Sequence, residues 1–112
     1  MTSTSPHLQM RAEAVSLASQ MLESPTDLIP RCRRLLTVMR ALGWEGHECL
    51  ATIRVVDSDA DAWPIGVAPQ RLDAAYHRRV LDEQASYCQD AWPGVQVACR
   101  AVLALLSRPN MA

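Results

Sequence analysis

Phenylalanine and lysine are both missing from this 112-residue sequence: its aromatic residues are three tryptophans and two tyrosines, and its eleven cationic side chains are all arginine. The arginine bias, with frequent alanine and leucine, is read as the imprint of gene composition rather than of binding chemistry. Glycine occurs only four times, and no pair of glycines forms a phosphate-cradling loop or a nucleophile elbow, so P-loop nucleotide chemistry and serine-hydrolase chemistry are excluded. There is no long hydrophobic run. The longest strongly apolar stretch, Ala101 to Leu106, falls far short of the ~20 residues of a membrane span. A net charge of -1 lacks the basic excess of most nucleic-acid-binding domains. The opening MTSTSPHLQMRAEA has no basic start followed by an apolar run, so the expected location is cytoplasmic.

With 49% hydrophobic and 21% charged residues, the chain has the composition of one globular domain spanning 1–112, with a flexible start at 1–5 and a tail at 109–112. Cys32, Cys49, Cys88 and Cys99 are expected to be reduced and buried, because the expected compartment is reducing and cysteine is a common core residue.

The hydrophobic spacing predicts helices throughout. Ser5 followed by Pro6 opens the first, which runs to about Glu23 on a stripe of Met10, Ala14, Leu17, Ala18 and Met21, flanked by Leu8, Val15 and Leu22. The second starts at Thr26 or Asp27, buries Leu28, Cys32, Leu35, Leu36, Met39 and Leu42, and ends at Gly43 in a left-handed cap with Trp44 folding back. Residues 45–56 read as helix from Cys49, Leu50, Ile53 and Val56, although TIRVV carries strand-like branching. A fourth helix places Leu72, Ala75, Tyr76, Val80 and Tyr87 inward. A fifth begins near Asp90 to Pro93 and buries Val95, Ala98, Cys99, Val102, Leu105 and Leu106 before Pro109. The expected fold is an all-α, single-domain bundle of about five helices. DAWP occurs at 61–64 and again at 90–93, which is too little for a repeat architecture.

The run DSDADAWPIG, Asp57 to Gly66, carries the most suggestive chemistry. Asp57, Asp59 and Asp61 stand at positions 1, 3 and 5 of an EF-hand loop, but position 6 is Ala62 where glycine is needed, position 12 is Ala68 where glutamate is needed, and Pro64 interrupts. His47, Cys49, Cys88 and Cys99 lack the paired spacing of a zinc site. No cysteine–histidine pair has an oxyanion turn beside it. No metal and no cofactor is therefore implied, and no catalytic residue is assigned.

Two binding surfaces remain. Arg31, Arg33, Arg34 and Arg40 could face a phosphate backbone, the basis of an alternative reading as a small nucleic-acid-binding regulator. Glu45, Glu48, Asp57, Asp59 and Asp61, with Trp44 and Trp63 nearby, suit recognition of a basic protein surface, since charge speeds encounter and a buried ring supplies energy. The competing account of the same residues is that the aspartates cap helix ends and Trp63 fills the bundle, so the exposure of Trp63 distinguishes contact point from scaffold.

DSDADAWPIG resembles the D-S-E-T-D-x-L-P-x-G signature of a family of short bacterial proteins of uncharacterised function, matching at Asp57, Ser58, Asp59, Asp61, Pro64 and Gly66. RAEAVSLASQML is similar to that family's R-x-E-A-x-x-L-A-x-x-M-L opening, and VACRAVLALL to its closing helix, with Cys99 at the family's cysteine. The likeness covers most of the chain through short motifs. It departs at Asp59 for glutamate, Ala60 for threonine and Trp63 for leucine. The helical arrangement also resembles small immunity proteins that neutralise toxins of interbacterial secretion systems. These resemblances imply a cytoplasmic binding protein without catalysis, acting as an immunity protein whose acidic and aromatic patch covers the basic cleft of a cognate toxin, with Arg54 or Arg71 at the rim. A homodimer is also compatible with a bundle that leaves an apolar stripe exposed.

Overall fold

The computed structural model describes residues 5–61 and 74–107. Among them are four α-helices, α1 (Pro6–Glu23), α2 (Leu28–Ala41), α3 (Ala51–Ala60) and α4 (Ala74–Ser107), with a 3-10 turn at Glu48–Leu50 leading into α3 and no strand. The fold is all-α. None of these helices is long and apolar enough to cross a membrane. The expected flexible start and the tail lie outside the described residues, except that Ser5 is fixed in place as a cap.

The ends of α1 follow from local chemistry. Ser5 accepts a hydrogen bond from the Leu8 N–H at 3.2 Å, and Pro6 occupies the first helical position, where a missing N–H costs nothing. At the other end, two side chains of α4 satisfy carbonyls that the helix leaves free: Trp92 Nε1 donates to Met21 O at 2.6 Å and Gln96 Nε2 donates to Leu22 O at 3.0 Å. The two donors lie one turn apart, so α4 is held to α1 in a fixed register. Small residues on the buried stripe, Ala14 and Ala18, allow the close approach, while Leu8 and Val15 at its edges stay exposed.

Helix α2 buries Leu28, Ile29, Cys32, Leu35, Val38 and Met39. It ends in a Schellman motif: Gly43, at φ 89°, donates to Arg40 O at 3.0 Å, and Trp44 N–H donates to Met39 O at 2.9 Å. Trp44 packs half-buried against the core, as the cap geometry requires. Between this cap and α3, His47 Nδ1 accepts from the Cys49 N–H at 3.1 Å and starts the 3-10 turn. Residues 45–47 are thus turn rather than helix, and α3 reaches Ala60, four residues beyond the end expected from hydrophobic spacing.

The five-helix expectation is corrected to four. Asp90 to Pro93 does not start a helix but lies inside α4, which runs unbroken for 34 residues, about 51 Å. Pro93 cannot donate to the Gln89 carbonyl, yet both residues are exposed, so water can satisfy that carbonyl. On the opposite side Trp92 and Val95 anchor the helix to the core. The C-terminal half buries Val95, Ala98, Cys99, Val102, Leu105 and Leu106, all on the expected face. Gly94 faces α3, where an added methyl would meet Thr52 at 3.4 Å. The N-terminal half is different: Val80 is buried and Tyr87 half-buried, but Ala75 and Tyr76, expected inward, are exposed. Leu72 lies outside the described residues.

If α4 is continuous, Pro93→Ala adds an N–H to the ladder and should raise stability by about 1–3 kcal/mol, seen as a higher urea midpoint at unchanged slope. A loss of stability would place a helix start at Asp90.

Candidate functional site

The aspartate alternation acquires its meaning from α3. In a loop, residues 57, 59 and 61 could converge; on a helix, 57 and 61 share one face while 59 points about 160° away. Arg33 of α2 meets the first pair, its Nε on Asp57 Oδ1 at 2.8 Å and its Nη2 on Asp61 Oδ1 at 2.9 Å. Tyr87 of α4 donates its hydroxyl to Asp59 Oδ2 at 2.7 Å. The carboxylates are therefore divided between two neighbouring helices, and the EF-hand ligand geometry does not form. Nor do they act as N-caps, because they occupy the last turn of α3 and its C-cap.

That location is electrostatically unfavourable. A helix C-terminus carries about half a negative charge, and each carboxylate there costs roughly 0.3–1 kcal/mol. Among the described residues one guanidinium and one phenol answer three carboxylates, leaving two formal negative charges without a local counter-charge there. The Arg33 bridges are partly solvent-exposed, with 42% of the Asp57 side chain and 77% of the Asp61 side chain accessible, so each contributes no more than ~1 kcal/mol. Asp61 in particular projects into solvent. The Tyr87 phenol is held well above its ordinary range, first by burial and then by its hydrogen bond to Asp59.

The other expected contact residues lie elsewhere. Glu45 and Glu48 are exposed near the start of α3, with Trp44 between them and α2, so the ten residues of α3, about 15 Å, separate them from Asp61. Glu45 pairs with Arg40 at 3.0 Å, and Trp44 stacks edge-on against His47 with ring centroids 5.5 Å apart. Trp44 belongs to the α2 cap as much as to any surface. The acids thus sit at the two ends of α3, Glu45 and Glu48 before it and Asp57, Asp59 and Asp61 at its close. Trp63, within the first DAWP, lies outside the described residues.

The arginines singled out for phosphate contact are engaged within the fold. Arg31 donates to Thr26 O at 2.9 Å, Arg33 bridges Asp57 and Asp61, Arg34 clasps Glu13 through both Nε and Nη2, and Arg40 meets Glu45. Arg54 donates to the carbonyls of Glu45 and His47, which fixes the turn before α3. Local sequence patterns do not reveal the Arg33 bridges, whose partners lie 24 and 28 residues away. The i,i+4 spacing of Asp57 and Asp61 is the one signal of them that the sequence carries.

The four cysteines are free, Cys32 and Cys99 fully buried and Cys49 and Cys88 half-buried. Burial pushes the Cys32 thiol up to about 12, with neighbouring Cys99, Cys88 and Asp57 adding to it, and the Cys99 thiol up to about 11. Cys49 and Cys88 are also raised, chiefly by burial. A thiol held protonated is a poor nucleophile. Compared with known proteins, the chain matches no family model, no curated protein and no solved structure.

Two outcomes follow. Arg33→Ala should cost about 1 kcal/mol in urea denaturation, and less than half of that in an Asp57→Asn/Asp61→Asn background, a coupling that a double-mutant cycle reads directly. Equal losses in both backgrounds would assign Arg33 to packing alone. The buried thiols make stability pH-dependent: unfolded thiols ionise near pH ~8.5, so above that pH the unfolded chain releases protons that the folded chain retains. Their contribution is complete below about pH 8.5 and is lost as pH rises, toward about 11 for Cys99 and about 12 for Cys32, the two together giving a slope of up to ~2.7 kcal/mol per pH unit. Denaturation under reducing conditions from about pH 7.5 to 10 checks this, and a flat profile contradicts it.

Proposed function

We propose that this chain is a non-catalytic protein-binding domain that recognises a basic partner surface through the acidic end of α3. The observation that carries the reading is the crowding of Asp57, Asp59 and Asp61 onto a helix C-terminus with one guanidinium to balance them. Stability alone favours a cation at this position. Arg33 and Tyr87 offset the cost only in part, and a local rule broken without full compensation in the fold is the pattern expected of a working surface. The carboxylates are held by Arg33 and Tyr87 in fixed directions, so little rotamer freedom is lost when a partner's cations reach them.

Within that class, immunity is the specific form proposed: the acidic end covers the basic cleft of a cognate secreted toxin, with Trp63, two residues after Asp61 in the sequence, as the aromatic contact. What prompts this choice is the likeness of the helical arrangement to small immunity proteins; the signature across Asp57 to Gly66 belongs to a family of uncharacterised function and supports only the choice of surface. The alternative of a nucleic-acid-binding regulator has less support, since Arg31, Arg33, Arg34 and Arg40 all have partners within the chain.

Co-expression with the product of the adjacent gene tests the reading. A complex should co-purify, and its association rate should fall as salt is raised, because complementary charge acts mainly on encounter. Asp61→Ala and Trp63→Ala should each weaken it by ~2 kcal/mol or more, by the usual scale for central contact residues. A complex indifferent to salt and to both substitutions would overturn the assignment of this surface. Failure of any neighbouring product to bind would overturn immunity.

A further inference from the structure

The N-terminal half of α4 presents an apolar face that no described residue of the bundle covers. Leu81, 50% exposed, lines a groove of about 440 Å³ with Ala85 and Cys88 of α4 and with Pro25, Ile29 and Pro30 before and within the first turn of α2, while Asp27 and Gln84 add polar groups to its lining. Arg78 and Asp82 lie one helical turn apart on the rim of the same face, and both are exposed. Among the described residues neither forms an ion pair, in contrast to Arg33, Arg34 and Arg40 of α2. We propose that a second copy of this chain occupies the groove, the two α4 helices packing antiparallel about Leu81.

The charge pattern selects both the occupant and the direction. Arg78 and Asp82 are centred on position 80, one residue from Leu81, so in an antiparallel pair each copy's arginine lies opposite the other copy's aspartate. A parallel pair would set like charges together. This self-complementarity is what a two-fold interface requires, since the same surface must recognise itself. An unrelated acidic or basic helix would satisfy one of the two rim charges and oppose the other. Residues 74–88 supply about 22 Å of helix for the contact. Tyr87, which holds Asp59, lies six residues beyond Leu81 and thus about 120° round α4, so the acidic end of α3 stays open in each copy. The dimer stands or falls independently of the proposed function.

Sedimentation equilibrium of the full chain between about 1 and 100 µM tests the proposal by mass action. The expected result is a concentration-dependent shift from 12.4 kDa to twice that mass. Leu81→Glu should give a monomer with an unchanged helical circular dichroism spectrum. Arg78→Asp and Asp82→Arg should each weaken association about tenfold or more, while the double exchange restores it. A chain monomeric throughout the range, a dimer indifferent to Leu81→Glu, or a double exchange no better than the single variants would overturn the proposal.

Discussion

Everything in this fold depends on burying the C-terminal half of α4. Val95, Cys99 and Val102 are fully enclosed by the other helices, and the stripe from Val95 to Leu106 belongs to the same core as the buried faces of α1, α2 and α3. With no phenylalanine available, the volume comes from aliphatic side chains, methionine and cysteine, and close approach is secured by alanines at 14, 18 and 98 and by Gly94 against Thr52. Apolar contact of this kind is non-directional and does not by itself fix register. Register comes from hydrogen bonds at the rim of the core: Trp92 and Gln96 on the open carbonyls of α1, and Tyr87 on Asp59 of α3.

The acidic end of α3 is best understood against that scaffold. Stabilising devices elsewhere follow ordinary rules: a serine N-cap with proline behind it, a glycine Schellman cap, a bidentate Arg34–Glu13 clasp and no buried polar side chain without a partner among the described residues. At residues 57–61 the rules reverse, with negative charge added where the helix is already negative. Arg33 and Tyr87 reduce the cost without removing it, and Asp61 remains mostly in solvent.

Features that local chemistry determines are legible in the sequence. Both ends of α1, the cap at Gly43 and every buried position of the last helical stripe follow from caps and from helical spacing. The continuity of α4 is not legible, because Asp90 and Pro93 carry the signals of a helix start and packing overrides them. Trp92 and Val95 hold the segment helical while Pro93 and Gln89 face water. The partners of the aspartates are hidden for a related reason. Arg33 and Tyr87 lie 24 to 28 residues from the aspartates they hold, beyond the reach of local spacing.

If the carboxylates at the end of α3 are retained at some expense to the fold, removing their charge should not weaken it. Urea denaturation of the Asp59→Asn/Asp61→Asn variant at low salt measures this most directly. The amide oxygen introduced at position 59 can still accept from Tyr87, and the variant relieves two charges at the helix end while losing one exposed ion pair. The expected stability equals or exceeds that of the wild type, by up to ~1 kcal/mol. A loss of about 1 kcal/mol or more would contradict this and make the acidic end part of the scaffold.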